Sequence, residues 1–237
     1  MNGIIGTGAT LGLLLGIGLL LGLIDRQNFS PRWLIVAALL VAVNDAMLTG
    51  LYGRLPDLLG GEWNWQGKLL ALSATLAIAA LSAFGWKRTG LTFLHEPGSL
   101  KAAVPVAFFY CAFFAAIALA FPSHDASPEA VAFQLTMPGF EEEPFYRGVL
   151  LLALDKAFCG RKRLFGVEWG WGAVLSCFLF GMVHAFGFSD GEFSFDAITM
   201  VMTAVPSFIG IWLRLKTGSL LLPILLHNFG NSLSFFI

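Results

Sequence analysis

Seven long apolar runs constrain the fold of this sequence more than any other feature. A helix needs about 20 predominantly apolar residues to cross the hydrocarbon core of a bilayer. An eighth segment, 137–154, is charged at its start and apolar after Arg147. We therefore predict an all-α fold, a polytopic integral membrane helical bundle of about eight transmembrane helices. The seven runs cover residues 4–24, 33–52, 69–86, 102–122, 169–185, 198–213 and 219–237.

Composition agrees with a membrane protein. Of the 237 residues, 57% are hydrophobic and 12% are charged, whereas a soluble domain carries about 25% charged residues. The net charge of −1 gives no sign of a nucleic-acid partner. Three scattered cysteines without CxxC spacing favour neither a disulfide framework nor a structural zinc site. We expect one membrane domain over 1–237, multi-pass, in a bacterial or archaeal plasma membrane, with the first run retained as a helix.

Basic residues predict the orientation in the membrane. Lys and Arg favour cytoplasmic loops. Eight spans with both chain ends outside place eleven of the fourteen basic residues inside, leaving Arg54 and Lys68 outside and Arg147 within a span. The eleven are Arg26, Arg32, Lys87, Arg88, Lys101, Lys156, Arg161, Lys162, Arg163, Arg214 and Lys216.

The stretch GFEEEPFYRG, residues 139–148, concentrates charge where a span is predicted. An ionisable side chain at the centre of a span costs roughly 2.5–3.5 kcal/mol, so such residues are paired or functional. In a helix over 139–154, Pro144 would lie in the first turn, where its missing N–H does no harm. Glu143 and Arg147 are four residues apart and are expected to form an ion pair.

Glu142 is then left without a cation nearby in the sequence. Tyr146 follows it by four residues and is expected to donate a hydrogen bond to it. A carboxylate placed in this way is a candidate general base. A run of acids that only caps a helix N-terminus is the structural alternative.

Two histidine pairs lie in other predicted spans. Phe180 and His184 are four residues apart, as are His227 and Asn231, so each pair shares one helix face. A lone buried histidine is usually a structural residue. The predicted orientation, however, brings both pairs and Glu142 into the outer half of the membrane, which favours one common site.

Three other polar residues are given no catalytic role. Asp45 is interpreted as the partner of a helix–helix hydrogen bond. His95 and His124 are predicted to lie in loops.

A carboxylate, histidines and an asparagine suit peptide hydrolysis by activated water. The carboxylate takes a proton from water, and N–H donors stabilise the oxyanion, a contact that can contribute about 3 kcal/mol. The same Glu and His residues could instead hold zinc, although HExxH is absent and no GxSxG-type nucleophile with its histidine is evident. A proton-coupled transporter and a non-catalytic membrane scaffold or immunity factor are the alternatives from other classes. A transporter would favour paired repeats with broken helices, and none is visible in the sequence.

Over residues 137–235 the sequence resembles the CPBP family of intramembrane endopeptidases, the CAAX-processing and bacteriocin-processing enzymes also called Abi. Three family motifs occur in order, and the stretch KTGSLLLPILLH at 216–227 resembles the approach to the last of them. EExxxR matches Glu142, Glu143 and Arg147, FxxxH matches Phe180 and His184, and HxxxN matches His227 and Asn231.

The resemblance implies a role for each matched residue. Glu142 would be the base, and His184 would hold the water with it. His227 and Asn231 would form the oxyanion site. The other matched residues, with Tyr146, would support the site: Glu143 and Arg147 by shaping it, Phe180 by packing against it.

The resemblance leaves two points open. We expect no required cofactor, with Zn²⁺ held by Glu142, His184 and His227 as the alternative. The run EEE departs from the family pattern, so Glu141 could share the proton of the base.

The expected partners are the lipid bilayer and a membrane-anchored protein or peptide substrate. A site in the outer half favours sorting tails or peptides cut on the outer face. Processing of a prenylated CAAX terminus would need a site that faces the cytoplasm.

The orientation is testable by cysteine labelling in intact cells. With the native cysteines replaced, an impermeant maleimide should label Asp190→Cys and should label Lys162→Cys only after permeabilisation, because position 162 lies in the densest basic cluster. Labelling of position 162 alone in intact cells would invert the predicted orientation.

Overall fold

The computed structural model describes residues 2–122 and 126–237 and is 73% helical. His124 lies outside the described residues, so its predicted loop position is not tested. The helices are α1 (Asn2–Ile24), α2 (Pro31–Leu48), α3 (Gly50–Gly53), α4 (Trp65–Ala80), α5 (Trp86–Thr89), α6 (Leu100–Ala120), α7 (Pro128–Glu143), α8 (Leu151–Ala157), α9 (Trp171–Ala185), α10 (Ala197–Thr217) and α11 (Leu221–Ser232).

Among the residues that the structure describes, four helices are long and apolar enough to cross a membrane. They are α1, α2, α6 and α10. Helices are also found at the other predicted positions, but α4 has 16 residues, α9 has 15 and α11 has 12. The predicted number of about eight transmembrane helices is therefore not confirmed. The apolar run 69–86 extends beyond its helix because α4 ends at Ala80 and the chain turns through the loop before α5.

The charged segment lies in the middle of a helical stretch and not at its start. Helix α7 begins at Pro128, and a π-helical turn, Pro144–Leu150, joins it directly to α8. The prediction that Pro144 occupies the first turn of a helix is therefore wrong. Because proline has no N–H, it interrupts the regular α-helical bonding. The wider turn that follows is of a kind found frequently at functional sites.

Two short β-hairpins correct the prediction of an all-α fold. Strands β1 (Lys162–Leu164) and β2 (Val167–Trp169) pair before α9, and β3 (Phe186–Ser189) and β4 (Glu192–Phe195) pair after it. In each hairpin both turn residues have positive φ, the geometry of a two-residue hairpin loop. The dipeptide Asp190–Gly191 is a strong signal for the second turn, although no hairpin was predicted there.

The π-helical turn and α8 form the centre of the main apolar core. They contact α2, α4 and α9, while α1 covers α2 and α9. Small side chains on α2 and α8 allow close helix approach, as in other membrane bundles. The most deeply buried members of this cluster are Leu14, Leu34, Ala37, Ala79, Phe145, Val149, Leu150, Ala153, Leu154, Ala157 and Leu179.

Helices α7 and α11 approach so closely that only glycine fits between them. The N–H of Gly139 donates to the buried Asn228 Oδ1 at 2.7 Å. A Cβ on Gly139 would lie 2.6 Å from this oxygen and 2.6 Å from the carbonyl oxygen of Ile224. This contact joins the helix that carries the three glutamates to the helix that carries His227.

We expect Gly139→Ala to destabilise the protein by about 1–3 kcal/mol, since overpacking a close contact shifts backbone or side chains. The measurement is the thermal midpoint in detergent. Gly12→Ala is the matched control, because an added Cβ there meets nothing within 4 Å. Equal midpoints for the two variants would contradict the close approach of α7 and α11.

Candidate active site

The three consecutive glutamates are all buried at the end of α7. The exposed fractions of Glu141, Glu142 and Glu143 are 0%, 9% and 2%. Removing a carboxylate from water costs several kcal/mol unless charges and hydrogen bonds compensate it. The positions of their partners therefore determine what the site can do.

Lys68 is the partner of the first two glutamates. Its Nζ lies 2.7 Å from Glu141 Oε2 and 2.6 Å from Glu142 Oε1. The expectation that Glu142 lacks a cation is wrong, and so is the placement of Lys68 in an outer loop. Lys68 lies in the first turn of α4, and its side chain is 13% exposed. Spacing along the sequence does not indicate this contact, because the partners of Lys68 lie more than 70 residues away.

The start of α4 is fixed so that Lys68 faces α7. Asn64 caps the helix, accepting a hydrogen bond from the Gly67 N–H. Glu129 Oε1, in the first turn of α7, accepts hydrogen bonds from the backbone N–H groups of Glu62 and Trp63. The indole N–H of Trp65 donates to the same oxygen. These hydrogen bonds, led by that of Glu62, hold the pKa of Glu129 below its usual value.

Glu143 and Arg147 form the predicted ion pair, with Glu143 Oε1 3.2 Å from Arg147 Nη1. The guanidinium carbon of Arg147 lies 4.2 Å from the centroid of the Phe180 ring. Cations over aromatic faces are attracted by the ring quadrupole. Phe180 also contacts the rings of His184 and His227, with centroids 4.7 and 5.9 Å apart. Phe180 therefore packs among the polar residues of the site.

The two histidines present the same face to Glu142. His227 Nδ1 donates to Glu143 Oε1 at 2.7 Å, and His184 Nδ1 donates to the Phe180 carbonyl at 2.7 Å. Both partners are acceptors, so each Nδ1 carries the hydrogen. The Nε2 atoms of His227 and His184 lie 3.6 and 3.9 Å from Glu142 Oε2. These separations leave room for a water oxygen within hydrogen-bonding distance of both groups.

The hydrogen-bond partners of Asn231 and Tyr146 are not those that the sequence predicted. Asn231 Nδ2 donates to Gln134 Oε1 at 3.2 Å, a partner that the sequence analysis did not predict. In the described part of the chain no hydrogen bond joins the Tyr146 hydroxyl to Glu142, contrary to prediction. The π-helical turn changes the four-residue alignment, and the Tyr146 ring packs edge-on against Phe180.

Glu142 separates two cavities. A cavity of about 300 Å³ is lined by His227, Asn231, Gln134 and Arg147, among others. A second, of about 430 Å³, lies on the other side of the glutamates between α1, α2 and β3. An apolar groove of about 420 Å³ between α6 and α10 adjoins the first cavity, and shares Tyr110, Phe114, Met202 and Pro206 with it.

Zinc held by Glu142, His184 and His227 is the alternative to a site without a metal. Among residues 2–122 and 126–237, no group of three or more His, Cys, Asp or Glu side chains is arranged to hold a metal ion. A cation beside Glu142 would also face the ammonium of Lys68, which already occupies Oε1. This ammonium disfavours a zinc ion on the same carboxylate.

Two other predictions concern Asp45 and Glu141. Asp45 Oδ2 accepts a hydrogen bond from Thr7 at 2.8 Å, which is the predicted contact between helices. Glu141 Oε2 is held by Lys68, and its Oε1 has no hydrogen-bond partner in the structure. In the described chain the histidine contacts are made to Glu142 and Glu143 and not to Glu141.

Apolar helices of membrane length around a buried Glu–His cluster indicate an integral membrane protein with a polar site inside the bundle. Residues 126–233 match the family model described as type II CAAX prenyl endopeptidase Rce1-like. The resemblance to the CPBP/CAAX protease family is thereby confirmed for this region, which is less than half of the chain. The match supports an intramembrane protease activity. No curated protein and no solved structure matches the chain.

Arg147→Ala should lower the thermal midpoint in detergent. The change leaves Glu143 buried without its cation, and breaking a buried pair in this way costs about 3–5 kcal/mol. Arg163→Ala, at an exposed position in β1, is the control and should leave the midpoint unchanged. An unchanged midpoint for Arg147→Ala would show that the ion pair does not contribute.

Proposed function

We propose that the protein is a glutamate-dependent intramembrane endopeptidase that cleaves a peptide bond of a membrane-anchored protein or peptide. The observation that carries the proposal is the convergence of Glu142, His184 and His227, from three helices, at the edge of a cavity that adjoins an apolar groove. The match to Rce1-like CAAX endopeptidases supports the same class of reaction.

Glu142 acts as the general base through Oε2. A water molecule between Oε2 and His184 Nε2 donates one hydrogen to each acceptor, which directs an oxygen lone pair toward the cavity. The water oxygen attacks the carbonyl carbon of the substrate while Glu142 takes its proton. Lys68 occupies the other oxygen of this carboxylate, so the proton is received by Oε2.

His227 and Asn231 stabilise the oxyanion of the tetrahedral intermediate. The Nδ1–H of His227 is committed to Glu143, so His227 donates from Nε2 in its imidazolium form. Three buried carboxylates face two cations, Lys68 and Arg147, and this imidazolium brings the charge of the site to zero. Asn231 exchanges its hydrogen bond with Gln134 for one with the oxyanion.

Collapse of the intermediate completes the hydrolysis. The carbon–nitrogen bond breaks as the carbonyl re-forms, and the proton held by Glu142 is transferred to the leaving nitrogen. The products are one new carboxyl terminus and one new amino terminus, and Glu142 is again a carboxylate. The reaction consumes one water molecule and requires no other co-reactant.

The groove between α6 and α10 suits the apolar anchor of the substrate. It adjoins the cavity that contains His227, and almost all of its surface is apolar. A lipid-modified or apolar tail in this groove would bring the adjoining peptide bond to Glu142. CAAX-like C-terminal processing, sorting-tail removal and peptide maturation all supply substrates of this kind.

We infer the side of the membrane on which the substrate is cut from the positions of the basic loops. Helix α9 runs from the β1–β2 hairpin, which carries Lys162 and Arg163, to His184 beside the β3–β4 hairpin. The basic cluster and the site are thus at opposite ends of this helix. With basic loops inside, the substrate is cut in the outer half of the membrane.

The test is cleavage of membrane-anchored peptides by purified protein in liposomes, with a farnesylated CAAX peptide and an unprenylated peptide with an apolar tail as probes. Glu142→Gln should lower the rate by roughly 10²–10⁴-fold without changing the thermal midpoint much, because general-base catalysis contributes about that factor. The matched change Glu141→Gln should retain most activity. Excess phenanthroline should leave the wild-type rate unchanged.

Full activity of Glu142→Gln with an inactive Glu141→Gln would transfer the role of base to Glu141. Loss of activity on chelation, restored by added zinc, would contradict the metal-free mechanism. The endopeptidase proposal for these substrate classes would be contradicted if neither probe were cleaved, whichever side of the liposome membrane it is added to.

A further inference from the structure

We infer that Lys68 is a positioning residue of the active site: its ammonium holds Glu142 by one carboxylate oxygen and presents the other oxygen to the two histidines. Lys68 comes from α4, outside the region that matches the Rce1-like family. The N-terminal half of the chain therefore supplies part of the active site. This inference deepens the proposed function and rests on it.

The geometry assigns different tasks to the two oxygens of Glu142. Oε1 lies 2.6 Å from Lys68 Nζ, which is a short charge-assisted contact. Oε2 is buried and has no hydrogen-bond partner among the described residues, and both histidine Nε2 atoms face it. A carboxylate without the first contact could rotate about its final side-chain bond, and its free oxygen would then no longer be held toward the two histidines.

Lys68 also compensates the negative charges of two carboxylates. Glu141 and Glu142 are adjacent and buried, and within the described residues Lys68 is the cation whose salt bridges join both of them. Arg147 is committed to Glu143. Without Lys68, two neighbouring carboxylates would share a poorly hydrated space, where like charges strongly disfavour double ionisation. The proton would then be held on the glutamates before any water is bound.

The position of Lys68 is that of a site residue and not only of a stabilising one. It lines both cavities that meet at Glu142. Its contact with Glu141, the more deeply buried of the two carboxylates, compensates a charge that the histidines do not approach in the described chain. The additional contact with Glu142 is the one that orients the proposed general base.

Kinetics separate positioning from folding. In the liposome assay with the farnesylated CAAX peptide, Lys68→Met should lower kcat by about 100-fold, the scale expected when a reacting group is misplaced by about 1 Å. KM should change little, because Lys68 is not expected to bind the substrate. Lys68→Arg should restore part of kcat. Lys101→Met, at an exposed position, is the matched control and should behave as wild type.

Chemical rescue gives an independent readout. In a background without the native cysteines, Lys68→Cys should be nearly inactive and should regain activity after alkylation with 2-bromoethylamine, which rebuilds an ammonium of similar reach. Alkylation with iodoacetamide, which adds no charge, should not rescue it. Unchanged kcat in Lys68→Met, or equal rescue by the two reagents, would overturn the inference.

A thermal double-mutant cycle in detergent tests the contact without any substrate. Lys68→Met should lower the midpoint in the wild-type background and lower it less in Glu142→Gln, because only Glu141 then remains as a buried charge that loses its cation. Additive effects would overturn the contact between Lys68 and Glu142. Failure of wild type to cleave the peptide, with the coupling intact, would instead contradict the proposed function.

Discussion

The burial of three adjacent carboxylates is the constraint on which the rest of the structure depends. Each would cost several kcal/mol if left unpaired in the bundle. Arg147, one turn away on the same helix, compensates Glu143, whereas Lys68 on α4 compensates Glu141 and Glu142. Two cations are therefore needed from two helices, and the bundle must hold both helices together before the site exists.

This constraint links the two halves of the chain. The region that matches the Rce1-like family provides the glutamates, both histidines and Asn231, while α4 provides Lys68. Glu129 and the indoles of Trp63 and Trp65 join the start of α4 to α7. Gly139 and Asn228 join α7 to α11. The helix with the carboxylates is thus fixed on one side by its counterion and on the other by the helix that carries His227.

Local sequence patterns predicted which polar side chains lie near one another, but not the way they are connected. The i,i+4 spacing was enough for the Glu143–Arg147 pair, and three motifs were enough for the family. Lys68 could not be assigned by spacing, because its partners are distant in the chain and a lysine at the end of an apolar run usually extends to the membrane surface. The continuous helix through Pro144 was missed because proline usually marks a helix start, and here a π-helical turn accommodates it. Short apolar helices such as α11 were counted as spans by composition alone.

Zero-length cross-linking tests the central contact most directly. A carbodiimide joins an amine to a carboxylate only when the two groups touch, and Lys68 Nζ lies within 2.7 Å of both Glu141 and Glu142. Mass spectrometry of the digested protein should find an isopeptide bond between the peptide with Lys68 and the peptide with these glutamates. It should be lost in Lys68→Arg. Absence of this cross-link, together with rapid modification of Lys68 by an impermeant amine reagent, would contradict the account.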